Sequence, residues 1–264
     1  MPVVFACIAP HGGHLLIAPP DPSPVPRCRA AMDRMRGVLE AAQADSIAVI
    51  TPHGVYNDGL VTLGISPKAK GDLDSLVVQA RTDIDLAAAW AYQASAFDIP
   101  VVPVSTPDGV PFPLDWGVTI PLALLDPAGK LPIVVACPAR DLSRDQLVDW
   151  GEALVLAADE LDRRVALIVS ADQGHGHAAD GPYGFTPSSA EYDEAMVDAV
   201  QADDLSRLLD WDDEWIESGL PDSYWQTLAL LGVRRRVSLT AHFLSYEVDH
   251  YFGLLCAMYE CPST

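Results

Sequence analysis

Six short runs of β-forming residues recur along the chain, and three of them are followed within five residues by histidine. The runs are Val3–Ala9, Ser46–Thr51, Leu60–Ile65, Pro100–Val104, Pro132–Cys137 and Val165–Ser170. They are mostly continuous in apolar character rather than alternating, the pattern of strands covered on both faces of a sheet. Helical patterns lie between them. Arg27–Ala42 carries apolar residues at Met32, Met35, Val38 and Leu39, and Asp83–Ala96 is similar, with Thr82 placed to cap it. Ser143–Leu161 opens with Ser143 and Gln146 in a capping-box arrangement. This alternation predicts an α/β fold with a mainly parallel central sheet flanked by helices.

The remaining segments fit the same frame. Pro19–Pro26 is too rich in proline for a helix or central strand and is expected to form an extended loop beyond the first strand. Asp108–Asp115 reads as a second proline-rich loop. Glu191–Leu209 and Asp222–Leu231 read as helical, Val237–Tyr246 alternates like a strand, and Tyr251–Tyr259 fits either state. A length of 264 residues suits one large domain or two small ones. With no repeat, low-complexity tract or linker in view, a single domain over residues 1–264 is expected.

Charge narrows the partners. Acidic residues outnumber basic ones 37 to 16, a formal net charge of −21. Such a field repels nucleic-acid phosphates and anionic membrane surfaces, so neither is an expected partner. Cys7, Cys137 and Cys256 sit inside apolar runs and read as small buried hydrophobes, and no C-x-x-C pair suggests structural zinc. The opening MPVVFACIAPHGG lacks a basic region and does not read as a signal peptide, and no apolar stretch reaches membrane-span length. A cytoplasmic, reducing setting is the resulting expectation, and a homo-oligomer is compatible with it.

In open α/β sheets, ligands bind beyond the carboxyl ends of the strands. VVFACIAPHGGH places His11 and His14 there, SIAVITPHGVYND places His53, and VALIVSADQGHGH places His175 and His177. One histidine after a strand is commonly a surface or core residue. Two strand–Pro-His-Gly junctions and a third histidine-bearing junction point instead to a shared metal site. Imidazole suits iron, zinc, copper and nickel, and two histidines with one carboxylate leave positions open for other ligands. The plainer alternative is a hydrogen-bonded histidine cluster in a loop-rich cleft.

The order APHGGH, ITPHGVYND, LDWGVTIPL and SADQGHGH…GPYGFTPSSAEYDEAM, from about Val3 to Gly253, resembles the catalytic subunits of class III extradiol ring-cleavage dioxygenases. That family includes protocatechuate 4,5-dioxygenase, DOPA dioxygenases and, more distantly, the Memo-like proteins. The resemblance implies ferrous iron held by two histidines and a glutamate, a small catecholic substrate chelated by the iron, and dioxygen beside it. By position it implies His11 and His53 as the histidine ligands and His175 as the acid–base residue. Imidazole titrates near neutrality, so it can take a proton from a ring hydroxyl and return it later. His14 and His177 are expected beside the substrate, although His177 and Asp172 also suit a role in stabilising the turn.

Two positions depart from the family pattern. Many relatives carry Asp-His-Gly where this chain has Asp115-Trp116-Gly117, and tryptophan exchanges no protons. Trp116 suits an aromatic wall against a flat substrate, or plain core packing. The glutamate register falls on Ser223. Asp222 is the nearest carboxylate and the expected third ligand, with Glu217 and Glu247 as further options. On a helix, a one-residue shift turns a side chain by about a quarter turn, so Asp222 can serve only if the local backbone adapts. GHGHAADG lacks the ending of a phosphate loop, and no G-x-S-x-G elbow is present. Three readings result: an iron(II) extradiol dioxygenase, a diverged Memo-like metal-binding member without ring cleavage, and a zinc-dependent hydrolase.

Overall fold

A computed structural model describes residues 1–13, 23–73 and 76–262. Its centre is an eight-stranded sheet in the order β10-β11-β1-β9-β2-β8-β3-β6. These strands are β1 (Val3–Ala9), β2 (Ser46–Ile50), β3 (Val61–Gly64), β6 (Val101–Val104), β8 (Ile133–Pro138), β9 (Val165–Ser170), β10 (Thr240–Asp249) and β11 (Phe252–Glu260). The middle four, β1-β9-β2-β8, are parallel throughout. β11 joins β1 antiparallel, β10 returns antiparallel on β11, and β3 runs antiparallel to β8 but parallel to β6. This is the mainly parallel α/β sheet that the apolar runs predict.

The continuous strands are buried on both faces because alternate residues feed two cores. In β1, Val3, Ala6 and Ile8 pack on one side, while Phe5, Cys7 and Ala9 pack on the other. β9 repeats this with Val165, Leu167 and Val169 against Ala166 and Ile168. The first core is closed by α2 (Ile84–Ser95), α4 (Arg144–Glu160), α5 (Pro187–Gln201) and α7 (Tyr224–Arg236), with Trp90 stacked on Trp150 at 4.1 Å between ring centres. The second is closed by α1 (Pro26–Ala42) and α3 (Trp116–Leu125). The short α6 (Asp213–Ser218) lies between a 3-10 turn at Leu205–Asp210 and α7.

Several local expectations are corrected. The cap of α2 is Asp83, whose carboxylate accepts from the Leu86 amide at 3.1 Å, whereas the Thr82 hydroxyl donates 2.5 Å to the Ser66 carbonyl. An Asp side chain accepts this bond readily, and Thr82 already pairs with Ile133 in extended backbone. Pro26 is the first residue of α1, where its missing amide hydrogen has no cost; residues 19–22 of the expected loop lie outside the described residues. The proline-rich Asp108–Asp115 contains a two-residue strand, β7 (Phe112–Pro113). It joins a hairpin of β4 (Lys68–Leu73) and β5 (Leu76–Arg81) in a second, three-stranded sheet. The hairpin is largely polar on its exposed side and gave no continuous apolar signal. Of Tyr251–Tyr259, Phe252 onward is strand, within β11, and Tyr251 lies in the turn before it. Asp222 precedes α7 rather than opening it, which frees its side chain from the helical register.

Candidate metal centre and active site

Three parallel strands each deliver a polar residue to one cavity of about 650 Å3 at their carboxyl ends: His11 after β1, His53 after β2, and Asp172 and His175 after β9. His11 Nε2 lies 3.0 Å from His53 Nε2 and 3.3 Å from Asp222 Oδ2, and His53 Nε2 lies 3.0 Å from the same carboxylate oxygen. His11 and Asp222 are buried and His53 is half-buried. Among the described residues these three form the group able to hold a metal ion, with all ligand atoms within 4.8 Å of one another.

The donor set fits a cation. Ligand atoms about 2.1 Å from one ion and at right angles to each other are about 3.0 Å apart, close to the separations found. Two imidazole nitrogens and a carboxylate oxygen in mutual contact also cannot all be satisfied by the few protons that fit between them. An ion at their centre uses all three lone pairs. A 2-His-1-carboxylate set of this kind leaves positions open for exogenous ligands and is the arrangement of non-haem iron(II) oxygenases.

Backbone and second-sphere contacts hold each ligand. The Ser170 hydroxyl donates to the Gly117 carbonyl, so its oxygen accepts from His11 Nδ1–H at 2.9 Å and leaves the Nε2 lone pair facing the site. The His11 amide donates to Asp172 Oδ1 and the Asp172 amide to Asp222 Oδ1, both at 2.9 Å, which reserves Asp222 Oδ2 for the site. A Cβ at Gly12 would run into the Asp172 carboxylate and the Phe252 ring, which explains the small residue beside the first histidine. On the other side, the Thr51 hydroxyl donates to Asp115 Oδ1 at 3.1 Å and accepts from the His53 amide at 3.2 Å. Asp115 also caps α3, so the end of β2 and the start of α3 are tied together.

Burial alone would lower the His11 pKa, but the Asp172 and Asp222 carboxylates outweigh it and push it up to about 9. For Asp222, burial opposes ionisation, and His11, His53 and His175 hold its carboxyl well below the usual range. Asp172 is raised, chiefly by burial. Both shifts favour the imidazolium form of His11 beside an ionised Asp222 in the ion-free site, and an arriving cation takes the place of the Nε2 proton.

Residues 6–253 match the family model described as the catalytic LigB subunit of aromatic ring-opening dioxygenase. The chain belongs to this family. Protein CA_C1420 of Clostridium acetobutylicum is 22% identical over 213 residues, covering 77% of this chain and 45% of that protein. The chain thus spans less than half the length of that curated relative. The crystal structure of the uncharacterized protein JW3007 from Escherichia coli K12 shares the fold, with a TM-score of 0.65 at 15% identity over 97% of this chain and 99% of that one.

The remaining expected site residues of this LigB-family chain divide into two groups. His175 lines the cavity; its Nδ1–H donates to the Leu220 carbonyl at 2.9 Å, and its Nε2 lies 3.9 Å from Asp222 Oδ2. Because the carbonyl can only accept, Nε2 of the neutral ring carries the lone pair toward the site. Trp116 also lines the cavity, half exposed, with its ring 4.3 Å from that of His53 and tilted by 31°. It is a wall residue and not core. His177 is brought elsewhere: its Nε2 bonds Asp193 Oδ2 at 2.8 Å, and it does not line the cavity. His14 lies outside the described residues. Of the other carboxylate options, Glu217 lines the cavity wall and Glu247 pairs with Arg27 at 3.2 Å. Ser223, at the family's glutamate register, is buried, donates to Gln173 Oε1 at 2.9 Å and shares a 2.8 Å hydrogen bond with the Tyr192 hydroxyl.

Sequence reasoning missed the aromatic wall of Tyr183, Trp225, Tyr251 and Phe252, and it missed Arg140. Tyr183 comes from a loop, Tyr251 and Phe252 from the turn and start of an edge hairpin, and Trp225 from the first turn of α7, so no periodic signal marks them as a group. Arg140 did carry a signal. It follows the run Pro132–Cys137 as the histidines follow theirs.

Proposed function

We propose that this chain is a non-haem iron(II)-dependent extradiol dioxygenase that opens a catecholic or aminophenolic ring, with both oxygen atoms of O2 entering the product. One observation carries the reading: His11 Nε2, His53 Nε2 and Asp222 Oδ2 converge at the floor of an aromatic-walled cavity, with His175 Nε2 beside them. Family membership supports the same chemistry. Ferrous iron held by His11, His53 and Asp222 would supply chelation of the two ring substituents and of dioxygen at one centre.

The chain's own groups do the rest. His175 Nε2, unprotonated in the tautomer set by Leu220, accepts a proton from a ring hydroxyl and holds it for return to the product side. Trp116 and Phe252 offer flat apolar surface to an aromatic ring and restrict water near the reacting atoms. Ser170 and Asp172 keep the ligands in place without entering the reaction.

One feature favours a metal-binding member without ring cleavage: Trp116 occupies the position of a histidine that handles protons in many relatives, leaving His175 as the one histidine outside the ligand set among the described residues that line the cavity. Metal analysis of anaerobically purified protein, followed by oxygen uptake with a panel of catechols, separates the readings. Iron with substrate-dependent uptake is the expected result. Zinc with no uptake by the iron-reconstituted protein would overturn the proposal and leave the hydrolase or non-cleaving reading.

A further inference from the structure

The four parallel central strands β1, β9, β2 and β8 end on the same side of the sheet; β1 and β2 lead to His11 and His53, and β9 leads to Asp172 and His175 beside them. The fourth, β8, ends at Pro138, and two residues later Arg140 lines the same cavity. Arg140 is to β8 what His11 is to β1. It is the one lysine or arginine among the described residues that line this cavity.

Its setting suits recognition more than structural support. The guanidinium lies over the Trp225 ring at 4.4 Å from the centroid, which fixes its plane. The Arg140 amide donates to the Tyr56 hydroxyl at 3.2 Å, anchoring the backbone. Among the described residues, seven arginines pair with carboxylates, as Arg144 does with Asp213 at 2.5 Å. Arg140 makes no ion pair within 4.0 Å with any described residue, in a chain with more than twice as many acids as bases. Glu217 lines the same wall and is the opposing charge there, yet it too leaves the guanidinium unpaired. A second cavity of about 990 Å3 shares Arg140, Glu217 and Trp225 with the first.

We propose that Arg140 is a specificity-determining residue that binds an anionic substituent, a carboxylate, on the ring of the substrate. This rests on the ring-binding reading above and narrows its substrate class to acidic aromatic diols or aminophenols. Trp225 pre-orients the guanidinium, so its two-pronged donor face is available without reorganisation. The protein's negative field repels anions in general, and Arg140 supplies attraction at this one position.

The test is equilibrium binding to zinc-loaded protein, with 3-(3,4-dihydroxyphenyl)propanoate against its neutral counterpart 4-propylcatechol. The expected result is a preference for the acid on the order of tenfold to a hundredfold. Arg140→Gln removes the preference and leaves the affinity for 4-propylcatechol within twofold, and Arg140→Lys restores part of it. Equal affinities in the unaltered protein, or a preference that survives Arg140→Gln, overturn the proposal. 3-Phenylpropanoate, which carries the acid but no diol, separates the two levels of inference. If neither diol binds, ring binding at the metal fails. The anion site then stands if 3-phenylpropanoate binds and is weakened in Arg140→Gln, and falls if it does not bind or is unaffected. Circular dichroism confirms that both variants are folded.

Discussion

Ser170 fixes the tautomer of His11. Its hydroxyl hydrogen is committed to the Gly117 carbonyl, so the 2.9 Å contact between Ser170 Oγ and His11 Nδ1 runs with the imidazole donating. β9 thereby sets the protonation of a ligand delivered by its neighbour β1. Ser170→Ala deletes the acceptor while leaving the small side chain buried. Outer-sphere losses of this type lower metal affinity by about 10–100-fold. Chelator competition against the unaltered protein measures it; an unchanged affinity would show that Ser170 does not orient His11.

Asp222, the proposed third ligand, and its neighbour Ser223 are expected to give opposite phenotypes. Asp222 Oδ2 faces His11 and His53, whereas Ser223 bonds Gln173 and Tyr192 away from them. Asp222→Ala is expected to reduce bound metal to substoichiometric levels after dialysis. Ser223→Ala keeps full metal content but leaves buried polar partners unsatisfied, at a cost of about 1–3 kcal/mol. Metal analysis and urea unfolding of both variants read this out. Metal loss in Ser223→Ala with retention in Asp222→Ala would reverse the assignment.

The metal-free site carries a pH signature. The folded His11 pKa is raised to about 9 by Asp172 and Asp222 against the opposing effect of burial. A raised cationic group contributes stability that is fully present below its unfolded value of about 6.5. That contribution fades as pH rises through about 9. Asp222 is depressed, so its own contribution persists down to strongly acid pH. Thermal unfolding of metal-free protein should thus lose stability from about pH 6.5 to pH 9 relative to His11→Gln. Metal must displace the His11 proton, so apparent affinity rises over the same interval. Calorimetry in buffers of different ionisation enthalpy should detect proton release at pH 7; no release would contradict the raised pKa.

The central sheet and the two histidine junctions were legible because burial on both faces and strand-end chemistry leave strong local marks. Val3–Ala9 and Val165–Ser170 match β1 and β9 to the residue. The β4–β5 hairpin was not legible, since its half-exposed strands mix Lys, Asp and Gln with apolar residues. α3 was hidden by Pro121, which argues against a helix locally but is tolerated within this short buried one. His177 illustrates a different limit. Its sequence position beside His175 is indistinguishable from that of a site residue, and only the tertiary placement of Asp193 on α5 draws it away.

Asp193 draws more than His177. Buried and on α5, it accepts from the Gly174 amide at 2.6 Å through Oδ1, and from the Tyr246 hydroxyl at 2.6 Å and His177 Nε2 at 2.8 Å through Oδ2. Gly174 and His177 bracket His175, so one carboxylate pins the loop on both sides of the proposed acid–base residue. Asp193 is expected to act as a positioning residue that reaches neither the ligands nor the ring. Asp193→Asn removes the charge and replaces one acceptor oxygen by a donor, so at least one of these three bonds is lost or must reverse its direction. The predicted outcome is a loss of about 1–3 kcal/mol in stability with unchanged metal content. In the iron-loaded protein kcat falls at least tenfold while KM for the diol stays within threefold, because ring binding depends on the metal and the aromatic wall. A variant with normal kcat despite the stability loss would confine Asp193 to a structural role.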